Sequence, residues 1–161
     1  MSTFFSGALK NLAPYTPGEQ PQDQQYVKLN TNESPYPPSA GVITALNAKE
    51  ASDLRLYSDP ECKELKKALA DYYKVEPENI YVGNGSDEAL NFAFLSYATD
   101  GRGVAFADIT YGFYPVFADL YHIPVQIVPL KSDFSIAPED YYGLNKTIVI
   151  ANPNAPTGMA L

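Results

Sequence analysis

The residues of this chain most suited to chemistry form a glycine turn, Gly83-Asn84-Gly85-Ser86-Asp87-Glu88. It follows a β-favouring run, Ile80-Tyr81-Val82, and leads into an apolar stretch of helical character. A strand that turns over glycines into a helix leaves free N–H groups at the positive end of the helix dipole, and this is a seat for an anion, most often a phosphate. A dinucleotide fingerprint would place a third glycine where Glu88 stands, and no Lys-Ser/Thr pair follows as in a P-loop. Asp87 and Glu88 would repel an anion if they faced it, so backbone amides must do the holding with both carboxylates turned aside. An ordinary glycine-turned connection with Ser86 as N-cap is the alternative reading.

The elements that must position this turn follow from periodicity. Residues 1–38 read as an extended arm broken by Pro14, Pro17, Pro21, Pro35, Pro37 and Pro38, with a strand-like run at Tyr26-Val27-Lys28-Leu29-Asn30. Ser39 caps a helix bearing Val42, Ile43 and Leu46, and Leu54-Arg55-Leu56-Tyr57-Ser58-Asp59-Pro60 forms a turn. A second helix over 61–73 places Leu65, Ala68, Leu69, Tyr72 and Tyr73 on one face. From residue 79 the rhythm becomes strand, helix, strand, helix, strand. Strands are expected at 80–82, 104–107, 125–128 and 147–151. The helix over 86–97 is apolar nearly all round and should be buried on most sides, whereas the next carries Phe113, Val116, Phe117, Leu120 and Tyr121 in register with Pro115 in its first turns. Alternating βα units imply an α/β fold with a parallel sheet, and ligands of such sheets sit at the carboxyl ends of strands. Three loops, 83–87, 108–111 and 152–158, should therefore converge on one edge.

Composition narrows the partners. The 161 residues carry a net charge of −8, with only eleven Lys and Arg, which argues against nucleic acid and anionic membrane surfaces. Cys62 stands alone, so no internal disulfide forms and a reducing, cytoplasmic compartment is expected. No stretch has the length of a membrane span or the build of a secretion signal.

The loop Asn152-Pro153-Asn154-Ala155-Pro156-Thr157-Gly158 resembles the Asn-Pro-Thr-Gly region of fold-type I pyridoxal-phosphate aminotransferases. With Gly-Asn-Gly-Ser-Asp-Glu, Ile109-Thr110-Tyr111-Gly112-Phe113-Tyr114, Pro14-Tyr15-Thr16-Pro17-Gly18, Leu29-Asn30-Thr31-Asn32-Glu33-Ser34-Pro35 and Arg55-Leu56-Tyr57-Ser58-Asp59-Pro60 in order, the chain is similar to the histidinol-phosphate aminotransferase branch from Pro14 onward. The resemblance implies part of a three-layer α/β/α large domain over 79–161, with a mostly parallel sheet, preceded by the arm and by helices of a small-domain or dimer-contact region over 39–78. It also implies pyridoxal 5′-phosphate as cofactor. The amides of Gly85, Ser86 and Asp87 would cradle its phosphate, Tyr111 would stack on its ring, and Tyr57 would reach the phosphate across a homodimer. Asn154 is the candidate to hydrogen-bond the ring's phenolic oxygen, because Ala155 stands where many aminotransferases have asparagine. Tyr15, Asn32 and Glu33 resemble arm residues that close over an amino donor and a 2-oxo acid. No metal is implied.

In this family the Schiff-base lysine, the aspartate on the pyridine nitrogen and the substrate arginines all follow the Asn-Pro-Thr-Gly loop. None of the lysines here stands in a matching setting. The expectation is therefore a truncated front half, without a catalytic residue of its own, that holds the cofactor loosely at most and is either dimeric or marginally stable. A sister enzyme (an aromatic aminotransferase or threonine-phosphate decarboxylase) and a non-catalytic dimerising remnant are the alternatives.

Overall fold

The structure is a computed structural model of the chain and describes residues 6–9, 12–13, 19, 21, 23–24, 26–46 and 48–161. Tyr15 lies outside the described residues. The chain divides into two compact units, residues 1–16 with Gly83–Leu161, and Pro17–Val82.

The first unit is built on three parallel strands, β1 (Val104–Ala107), β2 (Val125–Val128) and β3 (Thr147–Ile148), in the order β2-β1-β3. Val104 sits opposite Val125 on one side and Thr147 on the other. The central position of β1 accounts for its unbroken apolar sequence, since all four residues are buried. Val104 and Phe106 face a core completed by Phe94 and Ala98 of the α4 segment and by Tyr114, Phe117 and Ala118 of α5, where α4 spans Gly85–Tyr97 and α5 Tyr114–Leu120. Ala105, on the opposite face, packs with Val128 and Tyr141, the last lying in a 3-10 turn at Pro138–Tyr141. Burial, with Asp108 and Asp140 adding to it, raises the Tyr141 phenol, whose hydroxyl has no hydrogen-bond partner in the structure. The expected α/β class and parallel crossovers are thus present, with Pro115 in the first turn of α5 where a missing N–H costs least.

Three expectations for this region need correction. Residues 80–82 form no strand, because the sheet's ladders join β1 to β2 and β3 only, and a strand exists only as a member of a ladder. β3 is two residues long, not five, although Val149 N–H still donates to Ala105 O at 2.9 Å. Helix α4 buries one stripe, Leu90, Phe94 and Ala98 at four-residue spacing, and leaves Phe92 at 47 % and Leu95 at 44 % exposure. Its apolar outer surface reflects composition, whereas burial needs a neighbour. Between α4 and the open edge of β3 lies a groove of about 330 Å³ lined by Leu90, Phe94, Tyr97, Ile148 and Ile150.

The second unit holds α1 (Ala40–Ala45), α2 (Ala48–Asp53) and α3 (Lys63–Tyr73). Ser39 caps α1 as expected, its Oγ accepting from Val42 N–H. The third helix starts two residues later than periodicity suggests. The Asp59 carboxylate accepts from the N–H groups of Glu61 at 3.0 Å and Lys63 at 2.8 Å, so this stretch closes as a capped turn before the helix begins. Those two amides, Lys63 first, hold the Asp59 carboxyl below its usual range. The expected inner face of α3 is not the buried one. Ala70 is buried, whereas Leu65, Tyr72 and Tyr73 are exposed. In the arm, the run 26–30 carries no strand; Lys28 and Glu33 pair at 2.5 Å and Asn30 Nδ2 donates to Glu19 O at 2.7 Å.

Candidate cofactor site

Helix α4 opens on Asn84 as N-cap, which places Ser86 inside the first turn and corrects its expected capping role. No side chain caps the helix from the front. Glu88 reaches back instead, accepting from Asn84 N–H at 2.8 Å and from Asn84 Nδ2 at 3.3 Å. The first-turn amides of Gly85, Ser86 and Asp87 therefore have no acceptor from the cap, and the dipole's positive end faces outward. Gly85 has φ +82°, a conformation that favours glycine, and a Cβ there would meet nothing within 4 Å.

Both carboxylates of this turn are held. Glu88 is turned back on Asn84, whose backbone N–H, and then its side chain, keep the Glu88 carboxyl below its usual value. Asp87 accepts from the Tyr111 hydroxyl at 2.8 Å. The hydrogen bonds fix the position of both carboxylates, which keep their charge.

A depressed Glu88 pKa means that this bond contributes stability above the ordinary glutamate value and loses it as pH falls through the lowered folded value. The protection of the Asn84 amide, its exchange measured by NMR relative to the intrinsic rate at each pH, should fall as pH drops below the ordinary glutamate range. Glu88→Gln should remove that pH dependence. An Asn84 exchange profile unchanged by this substitution would contradict the back-bond.

The second loop follows β1. Asp108 Oδ1 accepts from Ile109 N–H and Leu130 N–H, each at 2.9 Å, which ties the ends of β1 and β2 together. Tyr111 is half-buried, its ring edge-on to Tyr114 at 5.6 Å and stacked with Phe113 at 6.4 Å, and its hydroxyl bonds Asp87. The third loop closes on itself through Gly158 N–H to Asn154 O and Asn154 N–H to Met159 O, each 2.7 Å.

Asn154 joins the third loop to the second. Its Oδ1 accepts from Thr110 Oγ1 at 2.8 Å, while Nδ2 donates to Ile109 O at 2.9 Å and to Thr157 Oγ1 at 3.1 Å. An amide nitrogen has two N–H donors, and both are engaged. As placed, Asn154 has none to offer a ring oxygen, unlike the role expected from resemblance. Side-chain hydrogen bonds therefore join Asp87 to Tyr111, and Asn154 to Ile109 and Thr110, at the carboxyl edge of the sheet, with Gly85 and Ser86 adjoining Asp87 in the first turn of α4. Tyr57, Asn32 and Glu33 lie in the other unit; Tyr57 is fully exposed and Glu33 is paired with Lys28. Asn84, Thr110 and Thr157 are participants that motif reading missed. Only Asn84 carried a local signal, a turn amide followed four residues later by a glutamate.

The arrangement offers backbone donors for a phosphate beside an aromatic face for a flat ring. Residues 24–161 match the family described as aminotransferase class I and II, and the chain belongs to that family, whose members depend in general on pyridoxal phosphate. It is 53 % identical over 162 residues to the histidinol-phosphate aminotransferase of Marinomonas sp. (strain MWYL1), covering 100 % of this chain and 46 % of that protein. Identity is 50 % to the enzyme of the same name from Brachyspira hyodysenteriae (100 % of this chain, 46 % of that protein) and 48 % to that of Clostridium acetobutylicum (98 % and 45 %). The chain thus spans less than half the length of these curated relatives. A crystal structure from Burkholderia pseudomallei K96243, described as an aminotransferase, shares the fold with a TM-score of 0.70 at 22 % identity, over 81 % of this chain and 40 % of that one. No helix among the described residues is long and apolar enough to cross a membrane.

Proposed function

We propose that this chain is the cofactor-seating portion of a histidinol-phosphate aminotransferase, acting on histidinol phosphate and 2-oxoglutarate to give imidazole acetol phosphate and glutamate. The observation that carries the reading is the hydrogen-bonded union of the loops 83–87, 108–111 and 152–158, which sets the α4 amides beside the Tyr111 ring. Gly85, Ser86 and Asp87 hold the phosphate of pyridoxal phosphate by their N–H groups, and the first turn of α4, which no side chain caps, fits that role. Tyr111 presents its face to the ring. When bound, the cofactor supplies an electron-withdrawing ring that stabilises charge at the substrate carbon. Exposed Tyr57 contributes to the same phosphate from a second copy of the chain, and Tyr15, Asn32 and Glu33 serve the substrate.

We assign no Schiff-base lysine among the described lysines of the sheet-bearing unit: Lys146 precedes β3 at the opposite sheet edge and donates to Arg102 O, and Lys131 is paired with Asp140. NMR titration of the chain with pyridoxal phosphate should shift the Gly85–Asp87 amides weakly, with inorganic phosphate competing. Borohydride reduction followed by peptide mapping should leave no stoichiometric lysine adduct. A full-occupancy adduct on one lysine of this chain, or amide shifts confined to another region, would overturn the assignment.

A further inference from the structure

Asn154 is the sole buried polar side chain among the described residues, at 1 % exposure, and its three side-chain bonds all run within the protein. Two of them clamp consecutive residues of the second loop, the carbonyl of Ile109 and the hydroxyl of Thr110. Tyr111 is the next residue. Its backbone is thus fixed on the amino side by Asn154, and its ring is fixed at the far end by the hydroxyl bond to Asp87. A buried, fully paired amide of this kind sets geometry firmly, because moving it would strand donors and acceptors away from water. Ala155, beside it, has no side-chain donor at all.

We propose that Asn154 is a positioning residue that fixes the Tyr111 ring through Thr110 and Ile109, and that it does not touch the cofactor. The proposal rests on the cofactor reading above, and deepens it by assigning Asn154 to the aromatic platform. Thr110 is then one of the two points at which this brace holds the second loop, the Ile109 carbonyl being the other.

The test compares Asn154→Ala, Thr110→Val, the double variant and Thr110→Ser, each titrated by NMR with pyridoxal phosphate and separately with inorganic phosphate. Each of the first two should weaken pyridoxal phosphate by roughly tenfold, the equivalent of one buried hydrogen bond of positional energy. The double variant should lose no more than Asn154→Ala alone, because that substitution already removes the bond that Thr110→Val breaks. Thr110→Ser, which keeps the hydroxyl, should bind as the wild type does. Inorganic phosphate, held by the α4 amides alone, should bind equally to all. Thr110→Val, nearly isosteric, keeps the test decisive if Asn154→Ala fails to fold. Loss of affinity in Asn154→Ala with Thr110→Val unaffected would show that the bond to Thr110 does not set the ring and would overturn the positioning role alone. Equal weakening of both ligands would reduce Asn154 to general support and overturn it too. A wild type that binds inorganic phosphate at α4 but gains nothing from the pyridoxal ring would overturn the cofactor reading, and the positioning role with it.

Discussion

Replacing Gly103 by alanine is expected to destabilise the sheet-bearing unit by more than about 3 kcal/mol, read from urea or thermal unfolding. Gly103 has φ +84°, and a Cβ added there would stand 2.4 Å from Pro124 O and 3.2 Å from the carbonyl carbon and Cβ of Pro124. The obstruction is backbone, so no side-chain rotation can relieve it. Pro124 O is also the acceptor for Val104 N–H at 2.9 Å, at the start of the β1–β2 pairing, and displacing it would open the ladder at a residue with 0 % exposure. Gly101 supplies the control. Its φ is +90°, but an added Cβ meets nothing within 4 Å, so Gly101→Ala carries only the conformational cost of about 1 kcal/mol. Equal losses in the two variants would show that the contact with Pro124 is not the cause.

How much of this could be read from sequence depends on whether a residue's neighbours lie along the chain or across it. The buried strand β1, the Ser39 cap and Pro115 at the start of α5 are local signals, and each appears where the residues point. Two of the converging loops followed from topology, because the parallel strands β1 and β3 put their carboxyl ends on one edge, whereas loop 83–87 follows no strand. Pairing was not legible in the same way. The run 80–82 has β-favouring side chains, but their apolar character says only that a strand would be stable, not that a neighbour is present. The start of α3 lies at Lys63, after a turn in which Asp59 accepts from the Glu61 and Lys63 amides, a side-chain contact that apolar periodicity does not register. Asn154 shows the limit most clearly: Thr110 stands 44 residues away, and a motif comparison cannot show that both amide donors are consumed. The same holds for Asp87, whose carboxylate is held by a tyrosine 24 residues on.

Phe94→Ala tests whether the anion seat depends on how α4 is docked. Phe94 is 2 % exposed, with its ring centroid 5.3 Å from Phe117 and 6.0 Å from Tyr114. Removing so large a buried ring costs about 3–5 kcal/mol through lost burial and the cavity left behind. The variant should also lose phosphate affinity, because α4 carries the receiving amides at its first turn and Phe94 pins its inner stripe to β1 and α5. Phe92→Ala is the internal comparison. It lies on the same helix at 47 % exposure, gains the same helix propensity from alanine, and should cost less than about 1 kcal/mol without altering phosphate binding. If Phe92→Ala proves as damaging as Phe94→Ala, the outer face of α4 is packed in solution as well. That result would mean that a further surface, from a second copy or from elsewhere in the protein, covers α4, and the exposure of Phe92 and Leu95 would mark that contact.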